Sequence, residues 1–477
     1  MHYLSRHVFN SAILFFRGDN TLNADSSQTA ISSPFQVNNV RQFIAFRVFF
    51  NCRFYYPVFT VLFLDFGLSV AQFSILNAVW AATIVLAEVP SGALADIVGR
   101  KRLLVFAACS MLVEMVILCA APQGNVNLLF GFFVVNRVLS GLAEAAASGA
   151  DEAIAYDALQ DLGLADQWGH VLDVQMRLRS GMFIFTMTLG AVVYDPDLMT
   201  RIAGFCGSAI TFAQSDTLRY PIYLTLVLAV LTLVSTLRLD EVRPPAATSV
   251  ADDRAPAGSV IEAFRLTLDS GRWILKTPFV LAVILFGMLF DGILRMVITL
   301  ASQYYRMVQL PESSYGVIGS VMAVTGMFIP RLARWIAENR SPATCLWTTA
   351  ATALAGLTGM TFFWPILGLV PALVAFSALY MVGFYVSYFV NQQTVSSRRA
   401  TVLSFKGLAY NLSYGGIGII YAALLELKKR GLQGIDGLTE DVENCVFMNT
   451  FDWFPISLGI GLVVMAAAVM IRRRRDR

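Results

Sequence analysis

A chain of 477 residues with 57% hydrophobic and only 14% charged side chains, and a mean hydropathy of +0.64, has too little charge to cover a soluble domain, where about 25% of residues are charged. This excludes disordered and collagen-like sequence and most soluble enzymes, and a net charge of +3 suggests no nucleic-acid partner. What remains is a bilayer protein: at about 20 apolar residues per helical span, the chain has room for roughly a dozen spans.

Residues 1–40 read as a cytosolic extension, since the apolar run from Ser11 to Phe16 is too brief for a secretory signal. A sliding window of about 19 residues then finds apolar runs near 41–66, 70–91, 103–122, 127–149, 172–194 and 219–238. The stretch from Glu241 to Ser259, rich in Pro, Ala and charge, opens a cytosolic linker over 241–277. Within it Val260, Ile261, Phe264 and Leu268 recur at helical spacing beside Glu262, Arg265 and Asp269, the pattern of an interfacial amphipathic helix. Six more runs follow near 278–305, 314–333, 343–364, 366–390, 401–425 and 453–471, and a basic tail fills 472–477. The expected fold is all-α and polytopic, with twelve transmembrane helices in two pseudo-symmetric six-helix bundles, 41–240 and 278–471.

Lysine and arginine set the orientation. With both termini in the cytosol, about 25 of the 35 fall in cytosolic segments, including Arg100 to Arg102, Arg398, Arg399 and Arg472 to Arg475. The halves also echo one another: Arg53 precedes Ser69 by 16 residues and Arg295 precedes Ser313 by 18, each serine opening the next span. Repeats of this kind create midplane sites in transporters. The six cysteines show no CxxC spacing and the three histidines lie outside the spans, so neither a metal nor another cofactor is expected. Cys206 and Cys445 both fall in outward segments, the second in a long loop from about Glu426 to Asp452, and their pairing stays open.

The segment after the second run reads Gly92-Ala-Leu-Ala-Asp96-Ile-Val-Gly99-Arg100-Lys101-Arg102. It resembles the cytosolic signature of the major facilitator superfamily between its second and third spans. Arg137-Val-Leu-Ser-Gly141-Leu-Ala143 is similar to the family's fourth span, and Glu88-Val-Pro-Ser-Gly92 and Arg399-Ala-Thr-Val-Leu-Ser404 resemble one branch of it. The resemblance covers about 41–471. Physically, Gly92 allows close helix approach, Asp96 can face the positive end of a helix starting near Arg399, and Arg100 can pair with Asp151, Glu152 or Asp157. With Gly99 these residues would form a conformational latch; the alternative is that the basic triplet only sets topology.

Ionisable residues inside spans mark function by default; here they are Arg53, Glu114, Arg137, Glu144, Asp291 and Arg295. In the first span about a dozen apolar residues, at roughly −0.3 to −0.6 kcal/mol each, nearly cancel against Arg47 and Arg53 at roughly +2.5 to +3.5 each, so the helix needs neighbours, water or a ligand. Arg47 is expected to snorkel and Arg53 to face a cavity. The resemblance implies that the first, fourth, seventh and tenth spans line a central cavity, and the Arg53 and Arg295 pair is similar to that of the superfamily's organophosphate antiporters. Against a clamp stands Asp291, four residues before Arg295 and able to neutralise it. Arg137 is a third substrate-binding candidate, Glu114, Glu144 and Asp291 are coupling candidates, and Arg137 paired with a carboxylate is the structural alternative. Phe376, Tyr380, Phe384 and Tyr388 form a stripe on the tenth span that would either line the cavity or pack on lipid and helices; Tyr380, Phe384 and Tyr388 are read as substrate contacts.

The expected activity is therefore not enzymatic. The chain lacks a phosphate-binding loop and reads as a secondary active transporter, antiporter or symporter, of a small organic anion or amphipathic metabolite, driven by exchange or an ion gradient, protons included. Its partners would be a small-molecule substrate and the lipid bilayer of the bacterial inner membrane, and its state a monomer. The alternatives are proton-coupled multidrug efflux, although span five lacks the Gly-Pro-rich motif, and a transporter-like receptor or assembly partner that moves nothing.

Overall fold

The computed structural model describes residues 33–122, 124–241, 265, 268, 271–393, 396–431 and 440–475. The N-terminal extension to residue 32 and most of the expected amphipathic linker, 242–264, lie outside the described residues. Among the described residues the architecture is helical with no strand. Ten helical stretches among the described residues are long and apolar enough to cross a membrane. We number the spans as the sequence orders them: span 2 is Val70–Val98, span 3 Arg100–Cys119, span 4 Val126–Ala147, span 5 Trp168–Tyr194 and span 6 Tyr220–Leu237. In the second half, span 7 is Pro278–Thr299, span 8 Tyr315–Asn339, span 9 Pro342–Met360, span 10 Leu369–Gln393, span 11 Ser396–Gly431 and span 12 Trp453–Arg475.

Spans 1 and 9 miss the ten for different reasons. Span 9 carries Thr344, Thr348, Thr349, Thr352 and Thr358, which lower its hydropathy. The hydroxyls of Thr348 and Thr349 donate to the Cys345 carbonyl and that of Thr352 to the Thr348 carbonyl, at 2.8–2.9 Å, so the helix satisfies its own polar groups.

Span 1 is not the continuous helix expected from 41–66. It is a helix Asn38–Asn51, an extended break at Cys52, a one-turn 3₁₀ helix Tyr56–Val58 and a second helix Phe59–Asp65. Pro57 explains the interruption: it lacks an amide hydrogen and its ring would strike the carbonyl four residues earlier, that of Arg53. Irregular backbone is tolerated at membrane depth only when buried in protein. Here the freed Phe54 amide donates to Thr225 Oγ1 of span 6 at 3.0 Å, and the Phe54 carbonyl lies where a Cβ on Gly190 of span 5 would collide with it.

Within the halves, span 4 packs on spans 2 and 3, span 6 on spans 1 and 3, and span 10 on spans 7 and 9. The halves meet through span 2 against span 11 and span 5 against span 8. Small residues permit both contacts. A Cβ on Gly418 would lie 3.1 Å from the Ser74 carbonyl oxygen, and one on Gly316 would strike the Met187 backbone. Ser69 caps span 2 as expected, in a reciprocal capping box with Gln72. The expected long loop from Glu426 to Asp452 is largely helical instead: span 11 runs on to Gly431, and a further helix, Glu440–Thr450, carries Cys445. Cys206 and Cys445 are both free and exposed.

Candidate functional site

The break in span 1 places Arg53 inside the first half, where it is 3% exposed. Its guanidinium donates to Glu114 Oε1 of span 3 at 2.5 Å and to the Tyr55 hydroxyl at 2.9 Å. Glu114 is wholly buried and also accepts, through its backbone carbonyl, from Asn136 Nδ2 of span 4 at 3.3 Å. The pair thus ties three spans together. Leaving one member of such a pair alone costs about 3–5 kcal/mol.

Arg137, next to Asn136 in sequence, is treated differently by the fold. It is 4% exposed, its Nε donates to Asn136 Oδ1 at 2.9 Å, and its guanidinium lies 5.3 Å from the ring centres of both Phe59 and Phe63. Its Nη2 is buried without a hydrogen-bond partner. The carboxylate partner that the sequence left open for it is therefore absent among the described residues: Glu114 belongs to Arg53, and Glu144 lines a cavity beside Arg47. Cation–π contacts of this kind reach about 2 kcal/mol when desolvated, but they leave donors of the guanidinium uncommitted.

In the second half, Asp291 and Arg295 form an ion pair within span 7, as the four-residue spacing predicted. Arg295 also donates to Asn411 Oδ1 of span 11 at 2.9 Å and lies 5.3 Å from the Tyr414 ring centre. Tyr414 bridges the halves: its ring meets that of Trp80 of span 2 edge-on at 6.4 Å, and its hydroxyl is 3.1 Å from Thr299 Oγ1 of span 7. The sequence reading missed Asn136, Asn411, Tyr414 and Trp80. Polar Asn411 three residues before Tyr414, inside an apolar run, was the available signal.

Two cavities flank these groups. One, about 370 Å³, is bounded by Tyr56, Pro57 and Phe59 of span 1, Met187 of span 5, and Tyr315, Phe376 and Tyr380 from the second half. Phe59 belongs to this wall and also lies beneath Arg137. Of the aromatic stripe, Phe376 and Tyr380 reach the cavity; Phe384 and Tyr388 stack on each other further along span 10, with centroids 5.7 Å apart. The other cavity, about 280 Å³, carries Arg47, Glu88, Glu144, Asp151 and Asn411.

The second cavity lies at the face of the molecule that holds the basic loop. There Arg100 pairs with Asp157 alone, whereas the other two expected partners, Asp151 and Glu152, belong to Arg47. Arg47 therefore does not simply snorkel. Each described ion pair of this face lies within one half: those of Arg47 and Arg100 in the first, and Arg334 with Glu338, near the end of span 8, in the second. Gly99 has φ +100°, a conformation that side chains rarely adopt, and a Cβ there would push aside the Glu241 carboxylate, whose Oε1 would lie 2.7 Å from it. Gly92 lies within the span 2 helix, and the side chain of Asp96 lies outside what is described.

The opposite face is closed by contacts between the halves. Arg306 donates two bonds to Asp65, at 2.7 and 2.8 Å, and pairs also with Glu312. Tyr194 donates to Asp65 at 2.5 Å, and the Ser313 amide donates to Asp195 at 3.1 Å. Beneath them the Thr60 amide donates to Ser302 Oγ at 2.9 Å. Burial opposes the charge on Arg306, but its bonds and attraction to Asp65 outweigh that and hold its pKa above the ordinary guanidinium value.

The major facilitator superfamily profile matches residues 43–422, and the chain belongs to that family. No curated protein matches it in sequence. Among solved structures it is similar in fold to the nucleoside transporter NupG, with 13% identity and a TM-score of 0.64 over 90% of this chain and 98% of that one. A bacterial homologue of the human lysosomal transporter Spinster, inward-facing and unoccupied, gives 14% identity and a TM-score of 0.64 over 93% and 96%. A D-xylose–proton symporter gives 14% identity and a TM-score of 0.56 over 88% and 96%.

Proposed function

For a member of the major facilitator superfamily with this interior, we propose secondary active transport of an amphipathic organic anion by alternating access. The observation that carries the reading is the buried, unpartnered Nη2 of Arg137, on a guanidinium that rests on Phe59, itself part of the aromatic cavity. A carboxylate, sulfonate or phosphate would take the free donors of Arg137, and the apolar remainder would fill the space between Phe59, Phe376 and Tyr380. Arg53 is then an anchor rather than a substrate ligand, since Glu114 already holds it. Arg295 is a secondary contact, able to trade Asp291 or Asn411 for the anion as the halves move.

With the basic loop and both termini in the cytosol of a bacterial inner membrane, the Arg306 face is the outer one. The conformation is then inward-facing: the outer face is closed by Asp65 and Arg306, and the cavity holding Glu88 and Glu144 adjoins the cytosolic loops. Rocking the halves would break the Asp65–Arg306 pair and expose the Arg137 region outward. Among the three coupling candidates Glu144 fits proton exchange best, because Glu114 and Asp291 are committed to arginines while Glu144 borders the cavity. Under this reading 2-naphthalenesulfonate is taken up or exchanged by proteoliposomes, uncharged 2-naphthamide is not, and Arg137→Ala abolishes the difference. Equal movement of both compounds would favour the drug-efflux alternative, and no movement under any imposed gradient would favour a non-transporting receptor.

A further inference from the structure

We infer a second ligand site, on the Arg306 face, that recognises a small neutral polyhydroxylated molecule and bridges the two halves. A cavity of about 700 Å³ opens there, within the size range of small-molecule sites, roughly 300–1,000 Å³. The first half contributes Ser69, Gln72 and Gln214 to it, and the second contributes Gln303, Glu426 and Asn444. It is separate from the interior described above: it shares no residue with the aromatic cavity or with the one at Glu144.

Three observations define the ligand. First, Gln303 is only 2% exposed, its Nε2 donates to Asn444 Oδ1 at 2.8 Å, and its Oε1 is buried with no partner. An amide oxygen in that state is left without the hydrogen bond it would have in water unless something donates to it. Second, across the cavity wall Gln214 Nε2 is likewise buried with no partner, so a small rotation of each amide would turn an unused acceptor from one half and an unused donor from the other toward the cavity. Third, the charges of the wall are largely spent on one another: Asp65 on Arg306, and Glu443 on Lys429 at 2.8 Å. Among the described residues no group of acidic, histidine or cysteine side chains is arranged to hold a metal ion. Hydroxyl groups both donate and accept and carry no charge, which matches amides left over on both sides. Since the wall comes from both halves, occupancy favours the state in which this face is closed.

Binding of tritiated sucrose and myo-inositol to the purified full-length protein in nanodiscs tests this. Saturable binding of either is expected, weakened about tenfold by Gln303→Leu and by Gln214→Leu, as loss of one buried hydrogen bond implies. Arg137→Ala should leave it unchanged, which separates this site from the transport reading. Circular dichroism and size-exclusion profiles matching wild type establish that each variant is folded. The proposal is overturned if folded Gln303→Leu and Gln214→Leu both bind as wild type does, if Arg137→Ala alone removes binding, or if neither sugar binds while tritiated spermidine does.

Discussion

The two halves carry the same kinds of charge in opposite settings. In the first, the side chains of Arg53 and Glu114 are 4% and 0% exposed and join different spans. In the second, the side chains of Arg295 and Asp291 are 28% and 12% exposed and belong to one helix. A fully buried pair between helices fixes architecture, because separating it strands a charge; a partly exposed pair within one helix can exchange partners at little structural cost. The comparison fits a role for Arg53 in holding the first half together, and under the proposed function Arg137 and Arg295 are left for the solute.

The sharpest way to break this contrast is Glu114→Ala. It should destabilise the purified protein by about 3–5 kcal/mol, read as a lower thermal unfolding midpoint, while Asp291→Ala should cost far less. Equal losses would erase the distinction. Next in size, Arg137→Ala should lower transport of the anionic probe about 100-fold, roughly 2.7 kcal/mol, with stability nearly intact because no carboxylate is left behind. Asp65→Asn should raise the reactivity of a cysteine placed at Thr60 toward an impermeant thiol reagent on the Arg306 face, about tenfold if one charge-assisted contact of 1.5–3 kcal/mol is weakened. The smallest effect is expected of Asn411→Ala, which removes one ligand of Arg295: a change of about threefold in apparent affinity for the probe, consistent with one hydrogen bond of about 0.5–1.5 kcal/mol.

The helical architecture was legible because burial in lipid leaves long apolar runs, and the Asp291–Arg295 pair because four residues make one helical turn. What sequence hid were contacts set by tertiary packing. Nothing local says that Glu114 reaches Arg53 across 61 positions or that Arg306 crosses to Asp65. Span 1 was partly legible: Pro57 announces an interruption, but a 19-residue average smooths over it, and the break is what turns Arg53 inward. Asp151, Glu152 and Asp157 were all expected to meet Arg100, yet the backbone between spans 4 and 5 presents the first two to Arg47 and leaves Arg100 to Asp157 alone.

The most direct measurement is the uptake of 2-naphthalenesulfonate and 2-naphthamide by proteoliposomes of wild type and Arg137→Ala, with the protein content of each preparation matched. The account predicts movement of the sulfonate alone, lost in the variant. Sulfonate uptake that survives the loss of Arg137, or amide uptake equal to it, would contradict a guanidinium waiting in the interior for an anion.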